Sequence, residues 1–249
     1  VATFILVHGS FHGAWCWQHL KPRLTAKGHR VLAPDLPASG ADLTPLEQAD
    51  LTRYAECIGA LVAAESEQPI LVGHSMGAIV CAQVAEAHAS RLAGWVAICG
   101  LLLRSGETLN AFLAEFAHLG VEDQVLAHMQ LSPDGGEARF PAEAAAEVFY
   151  HRCCAKDAQW AAARLGPQAT AVYGDLTALS DAAYGRVRRF YVQAGDDRAV
   201  SPTYQSLMVE RSPCEAIYTL DTDHSPFLSA PQALADVLQD VATRLTAPC

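Results

Sequence analysis

An α/β fold is predicted for this chain: a mainly parallel sheet of about six strands, helices on both faces, and an inserted helical cap. Three observations predict it. Six short β-rich runs alternate with amphipathic helical stretches, which is the pattern of a parallel sheet. Most of those runs are apolar at every position, as strands covered on both faces must be. The alternation also stops after Ile98 and resumes at Arg189, with an Ala-rich helical stretch between.

The predicted strands are Phe4-Ile5-Leu6-Val7, Arg30-Val31-Leu32-Ala33, Ile70-Leu71-Val72, Trp95-Val96-Ala97-Ile98, Phe190-Tyr191-Val192-Gln193 and Ala216-Ile217-Tyr218-Thr219. Helical spacing of Leu51, Tyr54, Ile58, Leu61 and Val62 predicts a helix before the third strand, and Ile79 to Ala87 one after it. Leu234, Val237, Leu238, Val241 and Leu245 predict another near the C-terminus. Ser201-Pro202 reads as an N-cap with proline at the first helical position. Within the cap, Phe112, Phe116 and Leu119 fit one helix face and Ala144 to Cys154 another, with no strong strand. The expected division is therefore a core of residues 1–100 and 188–249 with a cap of residues 101–187. A TIM barrel has a similar length but needs eight uninterrupted strand–helix units.

At 249 residues, 51% of them apolar, such a chain buries roughly 70–75% of its unfolded surface and needs no metal or disulfide staple. Seventeen Lys+Arg against 27 Asp+Glu leave a net charge of −10. That sign opposes nucleic acid or an anionic membrane as the main partner. The short basic run Arg186-Val187-Arg188-Arg189 reads as a solvated turn. No apolar stretch reaches the ~18 residues of a membrane span, and the chain opens directly on a strand, so a soluble protein is expected. Eight cysteines (Cys16, Cys57, Cys81, Cys99, Cys153, Cys154, Cys214 and Cys249) lack C-x-x-C or zinc spacing. Reduced thiols and a cytoplasmic location are the expectation, with Cys153-Cys154 too strained a neighbour pair for a favourable disulfide.

Chemistry concentrates in four loops. Gly73-His74-Ser75-Met76-Gly77 matches G-x-S-x-G, a pattern that composition alone produces in roughly one such chain in twenty. Its context is what makes it specific: it joins a buried strand to a helix, the sharp turn that projects a serine above a sheet edge. A serine hydroxyl needs a base, and the base a carboxylate. Asp197 and Asp196, in the Ala194–Val200 segment that ends the fifth strand, are the candidate carboxylates. Asp197 is preferred because it stands three residues before Val200 and the Ser201-Pro202 helix start. His224, in Thr222-Asp223-His224-Ser225-Pro226 after the last strand, is the candidate base. The first strand leaves through His8-Gly9-Ser10-Phe11-His12-Gly13. There the backbone N–H of Ser10, together with that of Met76, is placed to receive an oxyanion. His8 and His12 have ligand-like spacing but no third ligand, so they read as loop organisers and no metal is expected. Neither G-x-G-x-x-G nor a P-loop motif follows the first strand.

These residues resemble the α/β-hydrolase superfamily, and within it the methylesterase and hydroxynitrile lyase group that includes the plant salicylate-binding methyl esterases. The matching stretches are Phe4 to Trp17, Gly28-His29, Pro34 to Gly40, Val72 to Gly77 and Thr222 to His224. The resemblance implies an α/β-hydrolase fold, a Ser75–Asp197–His224 triad, Ser10 and Met76 as oxyanion donors, and an apolar pocket under the cap. Lyases of the group carry a threonine after the first-loop histidine and a cyanide-stabilising lysine after the catalytic histidine. Those positions are Gly9 and Ser225 here. Another departure is Ala78, where many relatives have a second glycine.

The function expected is cofactor-free hydrolysis of a small hydrophobic or aromatic, methyl-ester-like substrate by a monomer or homodimer. Lyase, lactonase or amidase chemistry at the same triad is the alternative. Gly9, Phe11, Phe112, Phe149, Trp160 and Phe227 are the expected substrate contacts, although the cap aromatics suit a cap core equally well, and Trp15 is expected to pack within the first helix.

Overall fold

The computed structural model describes residues 1–246 of the chain, so Cys249 lies outside the described residues. The first half of the core runs β1 (Thr3–Val7), α1 (Leu20–Ala26), β2 (Arg30–Leu32), α2 (Leu51–Ala64), β3 (Ile70–His74), α3 (Gly77–Ala87) and β4 (Gly94–Ile98). There follow α4 (Leu109–Phe116), α5 (Gln124–His128), β5 (Gln130–Leu131), β6 (Glu137–Arg139), α6 (Ala142–Val148), α7 (Ala155–Ala162), β7 (Gln168–Ala169) and α8 (Ala171–Gly174). The core then resumes with β8 (Arg189–Ala194), α9 (Pro202–Arg211), β9 (Ala216–Leu220), α10 (Pro226–Ser229) and α11 (Pro231–Thr246).

The main sheet has the order β2-β1-β3-β4-β8-β9, and every pairing is parallel. Alternation within β1 shows how it is built. Phe4 and Leu6 pack on one face with Leu20, Leu24, Leu234 and Leu238, whereas Ile5 and Val7 pack on the other with Tyr54, Ile58, Val80 and Val84. A sheet covered on both faces must be apolar throughout, which is why these strands lack period-two polarity. β9 is the exception. It lies at the sheet edge, its burial alternates, and Ile217 is 51% exposed.

Helix starts follow local chemistry. The side chains of Asp50, Thr108 and Ser201 accept from the backbone N–H groups of Arg53, Ala111 and Tyr204, capping α2, α4 and α9.

The segment between β4 and β8 departs from the all-helical expectation. It contains a small antiparallel sheet, β5-β6-β7, whose strands of two or three residues are too short to leave an alternating pattern. Nor does the Ala144–Cys154 stretch form one helix: α6 ends at Val148, and a new helix begins at Ala155. Leu119 leaves the Phe112 face, because α4 stops at Phe116 and the chain turns at Gly120, where φ is +64°.

The order of the sheet reverses between β1 and β3, since β2 lies outward on one side and β3 returns on the other. Parallel sheets bind ligands at such a switch point, beyond the carboxyl ends of the strands. The register aligns Val7 with Gly73 and His74 with Ile98. The loops after β1 and β3 therefore leave the sheet side by side.

Candidate active site

The turn after β3 is tight for identifiable reasons. A Cβ on Gly73 would come 2.5 Å from the Gly77 carbonyl oxygen, and one on Gly77 would come 2.5 Å from that of Val7. Neither position can carry a side chain without moving backbone. Ser75 itself has φ +53°, a left-handed conformation unusual for a residue with a side chain. Its N–H donates to the Ile98 carbonyl (3.0 Å), and its carbonyl accepts from Ala78 and Leu101. Three main-chain bonds thus hold a strained residue in place, with its side chain on the cavity described below.

Asp197 and His224 arrive on the loops after β8 and β9. The His224 Nδ1–H donates to Asp197 Oδ2 at 2.7 Å, with both side chains almost wholly buried. Asp197 Oδ1 accepts from the N–H groups of Ala199 (2.8 Å) and Val200 (2.9 Å), and Oδ2 also accepts from Gln205 Nε2 (3.0 Å). All four of these contacts bring a donor to a carboxylate oxygen. Asp196 points elsewhere: it is half-buried and pairs with His151 and Arg152. The neighbouring Asp223 is fully buried and anchors the His224 loop. It accepts from Ser225 N–H and the Ser229 hydroxyl on one oxygen and from Arg152 N–H on the other, which joins the loop to the chain between α6 and α7.

The loop after β1 presents Ser10. Among the described residues, neither the Ser10 N–H nor the Met76 N–H has an acceptor. Two unpaired N–H groups beside Ser75 form a place for negative charge. The loop is held from the chain that follows α7. Gly166 N–H donates to the Phe11 carbonyl, Phe11 N–H to Gln168 Oε1, and Tyr173 OH to Ser10 Oγ (2.8 Å). These bonds support Phe11 at φ +65°.

Histidines 8, 12 and 74 are structural in their contacts. The His8 Nδ1–H donates to the Gly9 carbonyl while Nε2 accepts from Leu36 N–H. The His12 Nδ1–H donates to the Ser10 carbonyl while Nε2 accepts from Tyr150 OH. Burial lowers His12 to about 3 and lowers His8 as well, so both rings are neutral. His74 donates from Nε2 to the His224 carbonyl at 2.8 Å and is likewise held well down by burial and the adjacent histidines. His74, Cys99 and His224 bring one ligand atom each within 4.8 Å of one another, but those two histidines are already hydrogen-bonded to the His224 carbonyl and to Asp197.

Ser75, His224 and Ser10 open onto one cavity, whose empty space is about 830 Å3 with its mouth included. Phe11, Phe112 and Phe149 line it with Leu101, Leu113, Val125 and Met129. Asn110, Asp123 and Tyr173 add polar atoms. Three expected contacts lie elsewhere. Trp160 packs edge-on against Trp15 under the Arg164 guanidinium, so it belongs to the cap–core seam. Phe227 is buried behind the site against Trp17 and His74. Gly9 supplies closeness rather than contact, because a Cβ there would lie 2.9 Å from the Cβ of Ser75. Trp15 stacks on His12 as well as meeting Trp160.

Gln205, Asp223, Gln168 and Tyr173 escaped sequence reasoning. Only Asp223 carried a signal, an acidic residue directly before the candidate histidine. The other three act across 8 to 163 residues of chain, beyond any local pattern.

The comparisons agree with this architecture. A model of the alpha/beta hydrolase family matches residues 4–237. Methylesterase 7 of Arabidopsis thaliana is 30% identical over 254 residues, covering 97% of this chain and 96% of that protein. The alpha-hydroxynitrile lyase of Arabidopsis thaliana is also 30% identical, over 262 residues and 96% of each chain. Among solved structures, a pyrethroid hydrolase from Sphingobium faniae JZ-2 superposes with a TM-score of 0.86 at 26% identity, over 97% of both chains. The chain is an enzyme of the alpha/beta hydrolase family.

Proposed function

We propose that this enzyme is a serine carboxylic ester hydrolase that turns over a small hydrophobic or aromatic, methyl-ester-like substrate through an acyl-enzyme. The observation that carries the proposal is the convergence of Ser75, the buried His224–Asp197 pair and two unpaired N–H groups on one largely apolar cavity. Ser75 Oγ attacks the carbonyl as His224 Nε2 takes its proton. Asp197 holds the proton on Nδ1, which leaves Nε2 as the lone-pair nitrogen and stabilises the imidazolium that forms. The N–H groups of Ser10 and Met76 receive the oxyanion, each such donor commonly worth about 3–4 kcal/mol of transition-state stabilisation. His224 then protonates the departing alcohol. In the second half it activates a water that releases the acid and restores Ser75.

Identity alone does not separate hydrolysis from cyanohydrin cleavage, since an esterase and a lyase match equally well. Two positions favour hydrolysis. A side chain at Gly9 would collide with His74 and Ser75, and Ser225 is fully buried and carries no cation for a departing cyanide. Methyl phenylacetate is the first test ester, with Ser75→Ala as control. Turnover should fall by about 10⁴-fold or more in the variant, and near-normal turnover would refute the nucleophile. Release of benzaldehyde and cyanide from mandelonitrile at a rate above ester turnover would favour the lyase reading.

A further inference from the structure

Ser10 faces the cavity with a side chain as well as an N–H group. Tyr173, carried on α8, donates its hydroxyl to Ser10 Oγ at 2.8 Å, and both residues line the same cavity as Ser75 and His224. Burial pushes the Tyr173 phenol up, so it remains an O–H donor. A serine oxygen that accepts one hydrogen bond still has its own proton to place. Among the described residues, no side chain or carbonyl accepts the Ser10 hydroxyl proton. Phe11, Leu101 and Phe149, which line the same cavity, carry no side-chain acceptor. A donor of this kind is satisfied when the substrate brings an acceptor, and the bond received from Tyr173 polarises it further.

The position of that acceptor follows from covalent reach. The Ser10 N–H serves the oxyanion in the ester-hydrolase reading, on which this inference rests, and Oγ branches from the same residue. Its proton is therefore placed toward atoms carried on the acyl carbon next to the scissile carbonyl, two bonds from the carbonyl carbon. We propose that the Ser10 hydroxyl, held by Tyr173, is a specificity-determining donor selecting esters with an ether or carbonyl oxygen on the acyl carbon next to the scissile carbonyl. Ser10 contacts the substrate, and Tyr173 is a positioning residue.

Two probes of nearly equal shape test this: methyl α-methoxyphenylacetate and methyl 2-phenylbutanoate, which differ by an ether oxygen in place of a methylene. The readout is the ratio of their kcat/KM values. Any intrinsic difference in reactivity between the esters cancels when this ratio is compared between enzymes. Ser10→Ala should lower it about tenfold, the worth of one hydrogen bond. Ser10→Thr should retain it, and Tyr173→Phe should lower it about threefold. A ratio within twofold of wild type in Ser10→Ala overturns the proposal and makes the Tyr173–Ser10 bond a loop tether only. So does turnover of neither probe by an enzyme whose Ser75 reacts with a fluorophosphonate. Should Ser10→Ala fail to fold, Tyr173→Phe decides by the same ratio. Absence of fluorophosphonate labelling at Ser75 would instead bring down the hydrolase reading, and this inference with it.

Discussion

Replacing Asp197 by asparagine changes one oxygen into an amide NH2 and nothing else in shape, yet it should nearly abolish turnover. All four strong contacts of the carboxylate come from donors: the N–H groups of Ala199 and Val200 on Oδ1, and Gln205 Nε2 and His224 Nδ1 on Oδ2. An asparagine NH2 on the Oδ1 side would face two backbone N–H groups that cannot turn away. On the Oδ2 side it would face Gln205 and His224. Gln205 cannot reverse its amide without cost, because Oε1 accepts from Ala194 N–H and Nε2 donates to the Val200 carbonyl. The partner able to yield is His224, by moving its proton from Nδ1 to Nε2. That tautomer has no lone pair directed at Ser75 and cannot act as the base. Loss of the correct tautomer in a triad of this kind lowers kcat by about 10⁴-fold, or ~5 kcal/mol. One donor left unpaired in a buried site should also remove about 1–3 kcal/mol of stability. Steady-state hydrolysis of methyl phenylacetate and urea unfolding measure the two effects, with Asp196→Asn as comparison. Asp196 is half-exposed and paired with His151 and Arg152, away from His224, so its variant should stay within about threefold of wild type, the range of a partly solvated ion pair. Asp197→Asn within tenfold of wild type, or a larger loss in Asp196→Asn, would refute this reasoning.

Two further perturbations test the scaffold. Gly77→Ala would place a Cβ 2.5 Å from the Val7 carbonyl oxygen and 2.6 Å from that of His8; the overpacking should cost about 1–3 kcal/mol in urea unfolding, and an unchanged midpoint would contradict the packing described. His12 should make the fold sensitive to acid. Its folded value is lowered to about 3, whereas an unfolded histidine takes up its proton near ~6.5. The unfolded state therefore binds more protons between those values, and stability is lost as pH falls from about 6.5 toward 3. At pH 4.5 the His12 share is roughly 3 kcal/mol. The difference in unfolding free energy between pH 7.5 and 4.5 should shrink by about that much in His12→Gln, and parallel curves for the two proteins would exclude this role.

The core was legible because its strands are continuous apolar runs and its helices carry a 3.6-residue period. Both signals are local, and all six strands appear within a residue or two of where the pattern puts them. The reactive loops were legible for another reason: each directly follows a strand, so chain order alone places it at the sheet edge. The cap was not. Its strands Gln130–Leu131, Glu137–Arg139 and Gln168–Ala169 are two or three residues long, too short to repeat an alternation, and pair only with each other. Its aromatic residues divide by depth, which periodicity does not encode: Phe112 and Phe149 face the cavity, whereas Trp160 packs on Trp15. The polar residues that steady the site were hidden too. Gln205, Gln168 and Tyr173 become meaningful only once folding sets them against Asp197, Phe11 and Ser10.

The central claim is that Ser75 becomes covalently acylated during turnover. It is tested most directly by treating the protein with a fluorophosphonate, mapping the adduct by peptide mass spectrometry and following ester hydrolysis in the same sample. One adduct per chain, on the peptide containing Ser75, with hydrolysis lost in proportion, is the predicted result. Hydrolysis that persists with Ser75 fully modified, or labelling elsewhere while Ser75 stays free, would contradict it.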